Sequence, residues 1–164
     1  MTEESVGRTA DDRPLAWRAW PARIVVCESD SSWAVALRRE AGSLPVSIHE
    51  TRSLEECRRL LDEHPASFLV VQLTRAGLEE LLGFLARTTR DYPRARVAVV
   101  AGRELAAAEW LVREAGAVHF VASPRQLTGL VRTAHRHCEA VPRPRLSLAE
   151  EVWAGLPWSR EAGR

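Results

Sequence analysis

The sequence predicts an α/β protein with a doubly wound sheet of five parallel strands and helices on both faces. Five short apolar segments alternate along the chain with five segments that have helical periodicity. Parallel strands need crossover connections, and right-handed crossovers place helices on both faces of the sheet. The 164 residues, of which 46% are hydrophobic, suffice for one domain with its own core.

The five predicted strands differ in how deeply they should be buried. They cover residues 23–27, 45–49, 68–73, 96–101 and 117–121. The first, third and fourth are continuous runs of β-branched and other apolar residues, which is typical of strands buried on both faces of a parallel sheet. The second strand alternates polar and apolar side chains, so it should be more exposed.

The five predicted helices are indicated by capping residues and by apolar stripes. They run from 31 or 32 to about 41, from 53 to 64, from about 77 to 89, from 104 to 114 and from 125 to about 138. Ser31 or Ser32 caps the first helix and Gly42 ends it, a capping box at Ser53–Glu56 opens the second, and Gly116 ends the fourth. Core-facing stripes at one-turn spacing mark the third and fifth helices, at Leu78, Leu81, Leu82, Leu85, Leu127, Leu130, Val131, Ala134 and Cys138.

We expect the flavodoxin-like strand order 2-1-3-4-5 rather than the Rossmann order. The chain has five strands and no glycine-rich phosphate turn after the first one. In such folds, ligands bind in the crevice beyond the carboxyl ends of the strands. The residues that follow the strands therefore decide which chemistry is open to the protein.

Charge and residue composition exclude several classes of function. The 22 acidic and 23 basic residues nearly cancel, so no long-range field attracts nucleic acid or an anionic membrane. Every basic residue is arginine, and the lack of lysine excludes Schiff-base chemistry and a Walker-type phosphate site. Nucleic-acid binding is the weakest function considered, because interleaved acids interrupt the basic stripe of Arg132, Arg136, Arg143 and Arg145.

The cysteines and the N-terminus favour a cytoplasmic protein. Cys27, Cys57 and Cys138 fall within apolar stripes and show no pairing pattern, which favours reduced, buried thiols. The N-terminus lacks an apolar signal core, and no apolar run approaches the ~18 residues needed to cross a bilayer. We expect neither secretion nor membrane association.

Residues 23–138 resemble the receiver domain of two-component response regulators. The resemblance places the phosphorylated aspartate of that family at Gln72, the hydroxyl residue after the fourth strand at Ala101 and the lysine after the fifth strand at Ser123. It places the metal-binding acids on Cys27-Glu-Ser-Asp30, where Ser29 replaces the second acid. Phe120 occupies the position of the family's switch aromatic, although it also suits an ordinary core position.

These replacements remove the chemistry of phosphoryl transfer. That reaction needs an ionised nucleophile, a divalent cation held by anionic oxygens and a cationic group that neutralises the transferred charge. Gln72 is a neutral amide and the chain has no lysine. We therefore predict no enzyme, no catalytic residue, no metal site and no cofactor. Glu28 and Asp30 provide two carboxylates, the minimum for weak Mg²⁺ binding. The alternative interpretation is that they are solvated acids of a loop.

The chain ends carry tryptophans outside the α/β core. We expect a flexible arm over residues 1–22, the domain over 23–140, and a Pro/Arg linker with a short helix and tail over 141–164. A two-turn helix does not persist alone in water, so the segment bearing Trp153, Leu156 and Trp158 should dock on its own domain or on another protein. On the fourth helix, Trp110 lies about 140° from the apolar stripe and should face solvent or a partner.

The sequence thus predicts a receiver-like signalling or scaffold module that is not phosphorylated and acts through protein contacts. The resemblance implies that the fourth helix, fifth strand and fifth helix form the contact face, with a second copy among the candidate partners. The alternative is a sensor of a small ligand or metal ion, with its crevice rebuilt around Glu28, Asp30 and Gln72.

Overall fold

A computed structural model of the protein describes residues 22–42, 44 and 47–142, which belong to one compact unit. The strands are β1 (Ile24–Cys27), β2 (Ile48–Thr51), β3 (Phe68–Leu73), β4 (Arg96–Ala101) and β5 (His119–Val121). The helices are α1 (Ser32–Ala41), α2 (Leu54–Glu63), α3 (Leu78–Asp91), α4 (Glu109–Glu114) and α5 (Thr128–Ala140), with a 3₁₀ segment, Arg103–Ala108, before α4. The predicted arm, the linker after residue 142 and the tail with Trp153, Leu156 and Trp158 lie outside the described residues.

The five strands form one parallel sheet in the order β2-β1-β3-β4-β5, which confirms the predicted flavodoxin-like topology. In the register between β1 and β3, Cys27 pairs with Val71. The residues that follow β1 therefore meet Gln72 near the end of β3. This neighbourhood is a consequence of the strand order, in which β1 and β3 are adjacent although a full strand–helix unit separates them along the chain.

Alternate side chains of the strands enter two apolar cores, one on each face of the sheet. One core lies beneath α1 and α5 and contains Trp33, Leu37 and Leu130. The other lies beneath α2, α3 and α4 and contains Leu61 and Phe84. Both faces of the central strands are covered, which is why their sequences are continuously apolar.

Two predicted strands begin at least two residues later than expected. β2 starts at Ile48 and ends at Thr51, whereas residues 45–49 were predicted. Its register is set by β1: Ile24 donates its N–H to Ser47, and the buried Thr51 donates its hydroxyl to the carbonyl of Val26 at 3.4 Å. Alternation within a half-buried strand does not indicate where the pairing stops. β5 starts at residue 119 instead of 117.

The fourth and fifth helices also differ from the prediction. The segment predicted as one helix from residue 104 to 114 divides into the 3₁₀ segment and the short α4. α5 begins at Thr128 rather than 125, because a turn precedes it in which Gln126 donates its N–H to the carbonyl of Ser123 at 3.0 Å. Apolar spacing is similar in 3₁₀ and α turns, so it did not separate them. Among the described residues, no helix is both long and apolar enough to span a membrane.

Candidate functional site

A cleft of about 460 Å³ opens at the carboxyl ends of β3, β4 and β5. We call it the strand-end cleft. It is lined by Trp33, Gln72, Leu73, Thr74, Arg75, Ala101, Gly102, Arg103, Glu104, Leu105, Ala122, Ser123 and Pro124. Three of the positions predicted from the receiver resemblance, Gln72, Ala101 and Ser123, are therefore brought together in one place.

Gln72 is bonded across the sheet to the loop that follows β1. Its Oε1 accepts hydrogen bonds from the backbone N–H of Ser29 at 3.1 Å and from the Ser29 hydroxyl at 3.2 Å. A backbone N–H only donates, so the partner atom must be the amide oxygen and not the amide nitrogen. The two donor hydrogens of the Gln72 amide make no hydrogen bond to any described residue.

Glu28 is buried and serves as the cap of α1. Only 3% of the residue is exposed, and its two carboxylate oxygens accept the backbone N–H groups of Trp33 at 2.7 Å and Ala34 at 2.6 Å. A carboxylate at a helix N-terminus satisfies free N–H groups and interacts favourably with the helix dipole. Ser31 occupies the predicted N-cap position, but its side chain makes no cap bond, and Glu28 supplies the cap instead. Each oxygen of Glu28 already accepts an N–H group of the helix, so a cation would compete with this cap.

Asp30 is turned towards its own loop. Its Oδ1 accepts hydrogen bonds from the Ser32 hydroxyl at 2.8 Å and the Ser32 N–H at 3.2 Å, and the bond from the hydroxyl is the largest cause that lowers the pKa of Asp30. The carboxylate makes no hydrogen bond to Gln72. Among the described residues, no group of three or more His, Cys, Asp and Glu side chains is arranged to hold a metal ion.

The loop between β1 and α1 is fixed in a left-handed turn at Ser31, where φ is 63°. This conformation is costly for a residue other than glycine. The Ser31 hydroxyl donates to Glu50 Oε2 at 2.8 Å and accepts from Arg52 Nη2 at 2.6 Å, while Arg52 Nη1 donates to the carbonyl of Glu28 at 3.1 Å. Arg38 completes the network with an ion pair to Glu50 at 2.6 Å. Glu50 and Arg52, at the end of β2 and just after it, therefore hold the loop in which Ser29 bonds to Gln72.

The remaining receiver positions are buried around the cleft. Ala101 is fully buried at the end of β4 and contributes a methyl group. Ser123 is 8% exposed, and its Oγ accepts the N–H of Arg125 at 3.4 Å. The hydroxyl hydrogen of Ser123 has no acceptor among the described residues. Phe120, also 8% exposed, belongs to the core beneath α2, α3 and α4.

Sequence reasoning missed two arginines of the cleft. Arg75 and Arg103 each follow the last residue of a strand, β3 or β4, by two positions, and both are exposed. Neither forms an ion pair or a side-chain hydrogen bond with a described residue. Their position at the carboxyl ends of parallel strands was the signal that could have identified them.

Glu104 lies close to the backbone of the same cleft. The Glu104 carboxylate occupies the space that a Cβ on Gly102 would take, and a rotation of the exposed Glu104 side chain would free that space. Glu104 is the single acidic residue among those that line the strand-end cleft.

A separate exposed surface lies on α4. Trp110 is 71% exposed, as its position on the helical wheel predicted, and Leu111 and Val118 are exposed by 38% and 39%. Exposed tryptophan side chains are enriched where proteins bind one another. We call Trp110, Leu111 and Val118 the α4 surface.

The cysteines form no disulfide: Cys27 and Cys57 are buried thiols and Cys138 is half-buried. Thr51 Oγ1 lies 3.1 Å from the Cys57 sulfur, and burial raises the pKa of Cys138 to about 11. A thiol is reactive as the thiolate, so Cys138 is a poor nucleophile.

Comparison with known proteins places the fold among receiver domains. No family model and no curated protein matches the sequence. A CheY-like protein from Pseudomonas aeruginosa PAO1 is similar in structure, with a TM-score of 0.56 and 22% identity over 69% of this chain and 98% of that one. A response regulator from Thermotoga maritima has a TM-score of 0.57 and 18% identity over 73% of this chain and 99% of that one. A structure described as an adenylate cyclase from Rhodopirellula baltica has a TM-score of 0.55 and 15% identity over 84% of this chain and all (100%) of that one. At these identities the likeness establishes a receiver-like fold.

Proposed function

We propose that this chain is a receiver-like signalling module that is not phosphorylated and that acts through protein contacts. The receiver-like fold supports the signalling role. The absence of phosphorylation is supported by Gln72, a neutral amide at the position of the nucleophile, which is bonded to Ser29 in the loop after β1. Glu28, which directly precedes Ser29 in the chain, is committed to capping α1.

The α4 surface is the proposed site of protein contact. Trp110 is the largest exposed apolar side chain of the described residues, and tryptophan is enriched among residues that dominate binding energy. In our proposal the C-terminal segment with Trp153, Leu156 and Trp158 provides a second contact. A second copy of the chain is among the candidate partners.

The absence of phosphorylation is tested by incubating the full chain with acetyl phosphate and Mg²⁺ and measuring its intact mass. We expect no phosphoryl adduct. An adduct that is lost under acidic conditions in which phosphoserine and phosphothreonine survive would be an acyl phosphate. Such an adduct would overturn the proposal.

The contact is tested by site-specific photo-crosslinking in the cells that make the protein. A photoreactive amino acid at position 110 should yield a discrete crosslinked protein, whereas the same group at Val35, which is 60% exposed on α1, should not. Solution mass over a range of concentrations then shows whether the crosslinked partner is a second copy. Equal crosslinking from both positions would contradict a contact site on α4.

A ligand sensor remains the second candidate, in which Gln72 is retained and Glu28 and Asp30 are not. Glu28 is occupied and Asp30 faces its own loop, so these acids do not support a metal-sensing crevice. The strand-end cleft favours a small molecule instead.

A further inference from the structure

We propose that the strand-end cleft binds a small organic anion without forming a covalent bond. The ligand would have a phosphate or carboxylate headgroup attached to an apolar body. This inference develops the ligand-sensor candidate and does not depend on the α4 surface.

The charge of the cleft favours an anion. Arg75 and Arg103 line it and make no ion pair with a described residue, so their guanidinium groups are available to a ligand. Glu104 is the single acid among the lining residues. Guanidinium groups bind phosphate and carboxylate with paired, charge-assisted hydrogen bonds.

The uncharged polar groups of the cleft are also donors. The oxygen of Gln72 is held by Ser29, which leaves the amide N–H₂ as the group with unused hydrogen-bonding capacity. The Oγ of Ser123 accepts from Arg125, which leaves its hydroxyl hydrogen to donate. A site with two cations and two neutral donors is complementary to an oxyanion and not to a metal ion.

The rest of the lining is apolar and defines the body of the ligand. Leu73, Leu105, Ala122 and Pro124 line the cleft, with the edge of the buried Trp33. A volume of about 460 Å³ falls within the ~300–1,000 Å³ typical of small-molecule sites. A headgroup alone would leave this apolar wall in contact with water.

Removing the charge of Glu104 should change anion binding in the opposite direction from removing the arginines. Its carboxylate lies in the cleft against Gly102 and repels an anion bound nearby. Glu104→Gln removes the charge and retains the shape, so it should strengthen anion binding by about fivefold. Arg75→Gln and Arg103→Gln should each weaken it, and together they should weaken it by at least about tenfold.

The experiment measures binding of four probes to the full chain by titration of amide resonances in NMR spectra. The probes are phenyl phosphate, benzoate, inorganic phosphate and phenol, which separate the two headgroups from each other and from the body. Arg132→Gln, on the exposed part of α5 and outside the cleft, is the matched control for removing an arginine. The altered side chains are exposed, and the spectra of the unbound variants report whether each one is folded.

We expect phenyl phosphate or benzoate to shift resonances of the cleft and to bind more tightly than inorganic phosphate or phenol. The double arginine variant should lose this binding and Arg132→Gln should keep it. Failure of all four probes to bind, or equal binding by the double variant and the wild type, would overturn the proposal. Binding of inorganic phosphate as tight as that of phenyl phosphate would overturn the assignment of an organic ligand. Trp110→Ala should leave probe binding unchanged, which separates this result from the fate of the protein-contact proposal.

Discussion

Ser29 donates two hydrogen bonds, one from its backbone N–H and one from its hydroxyl, to the side-chain oxygen of Gln72. The bonds join the loop after β1 to the end of β3, at the position where the receiver resemblance places a phosphorylated aspartate. The Gln72 amide therefore holds the loop after β1 in place, in addition to standing where the family has its nucleophile. Restoring a carboxylate there changes one residue of the site but leaves Glu28, Ala101 and Ser123 as they are.

We predict that Gln72→Asp does not restore phosphorylation. The shorter side chain regains a carboxylate, but Glu28 still caps α1 and the chain still lacks a lysine to neutralise the transferred group. Intact mass after incubation with acetyl phosphate and Mg²⁺ is the measurement, with Gln72→Ala as the matched control. A phosphoryl adduct in the aspartate variant alone would show that the site retains more of the chemistry than its residues indicate.

Glu28→Ala should lower the free energy of unfolding by about 2 kcal/mol, because it leaves two N–H groups at the start of α1 without acceptors. Glu28→Gln keeps one acceptor oxygen and should cost less. Urea unfolding measures both variants.

The control for Glu28 is Glu55→Ala, in the first turn of α2, where the side chain is exposed and, among the described residues, pairs with Arg59. An exposed pair of this kind contributes little. Equal stability of the Glu28 and Glu55 variants would contradict the capping role. Stabilisation of the wild type by Mg²⁺ that is lost in Glu28→Ala would instead favour the metal-sensing alternative.

The two tryptophans of the described residues should respond oppositely to truncation. Trp33→Ala should lower the free energy of unfolding by about 3–5 kcal/mol, because Trp33 is 4% exposed in the core beneath α1 and α5. Trp110→Ala should change it by less than about 0.5 kcal/mol, because the side chain is 71% exposed. Thermal and urea unfolding check both. A large loss of stability in the Trp110 variant would mean that the side chain packs within the protein, and it would remove the main support for the α4 surface.

The sequence predicted those parts of the fold that depend on local pattern. β3 and β4 have the predicted bounds because each is a continuous apolar run ended by polar or turn-forming residues. The capping box of α2 was also correct, since the Ser53 hydroxyl accepts the N–H of Glu56 within four residues of chain. β2 was misplaced because its ends are set by pairing with β1, which is not visible in its own residues.

The candidate site was predicted less completely, because its bonds join distant parts of the chain. The resemblance brought Gln72, Ala101 and Ser123 to one crevice, and the cleft contains all three. It did not show that Glu28 points into α1, since a serine next to a helix start is the more common cap. The cationic character of the cleft was missed because Arg75 and Arg103 belong to no motif and become neighbours only through the strand order.

Acid should destabilise the fold through its histidines before its carboxylates are protonated. Burial is the largest cause that lowers the pKa of four of them, His49, His64, His119 and His137. The unfolded chain takes up protons near the ordinary histidine pKa of about 6.5, while the folded chain does so only at lower pH. The unfolded state therefore binds more protons as the pH falls below about 6.5, and the free energy of unfolding must decrease. Hydrogen bonds from serine side chains, and arginines near Glu50, lower the pKa of Asp30 and Glu50. The stability that these ionised carboxylates contribute is therefore lost at a more acidic pH than that of the histidines.

The test compares urea midpoints at pH about 7.5 and about 5, where the histidines change charge and the carboxylates remain largely ionised. We expect a lower midpoint at the acidic pH. His137 Nε2 lies 2.8 Å from the carbonyl oxygen of Ala66, and an amide N–H can replace the imidazole as its donor. His137→Gln should accordingly reduce the difference between the two midpoints, because it removes one of the groups that the unfolded chain protonates first. An unchanged midpoint in the wild type, or an equal difference in His137→Gln, would show that these buried imidazoles do not control the acid response.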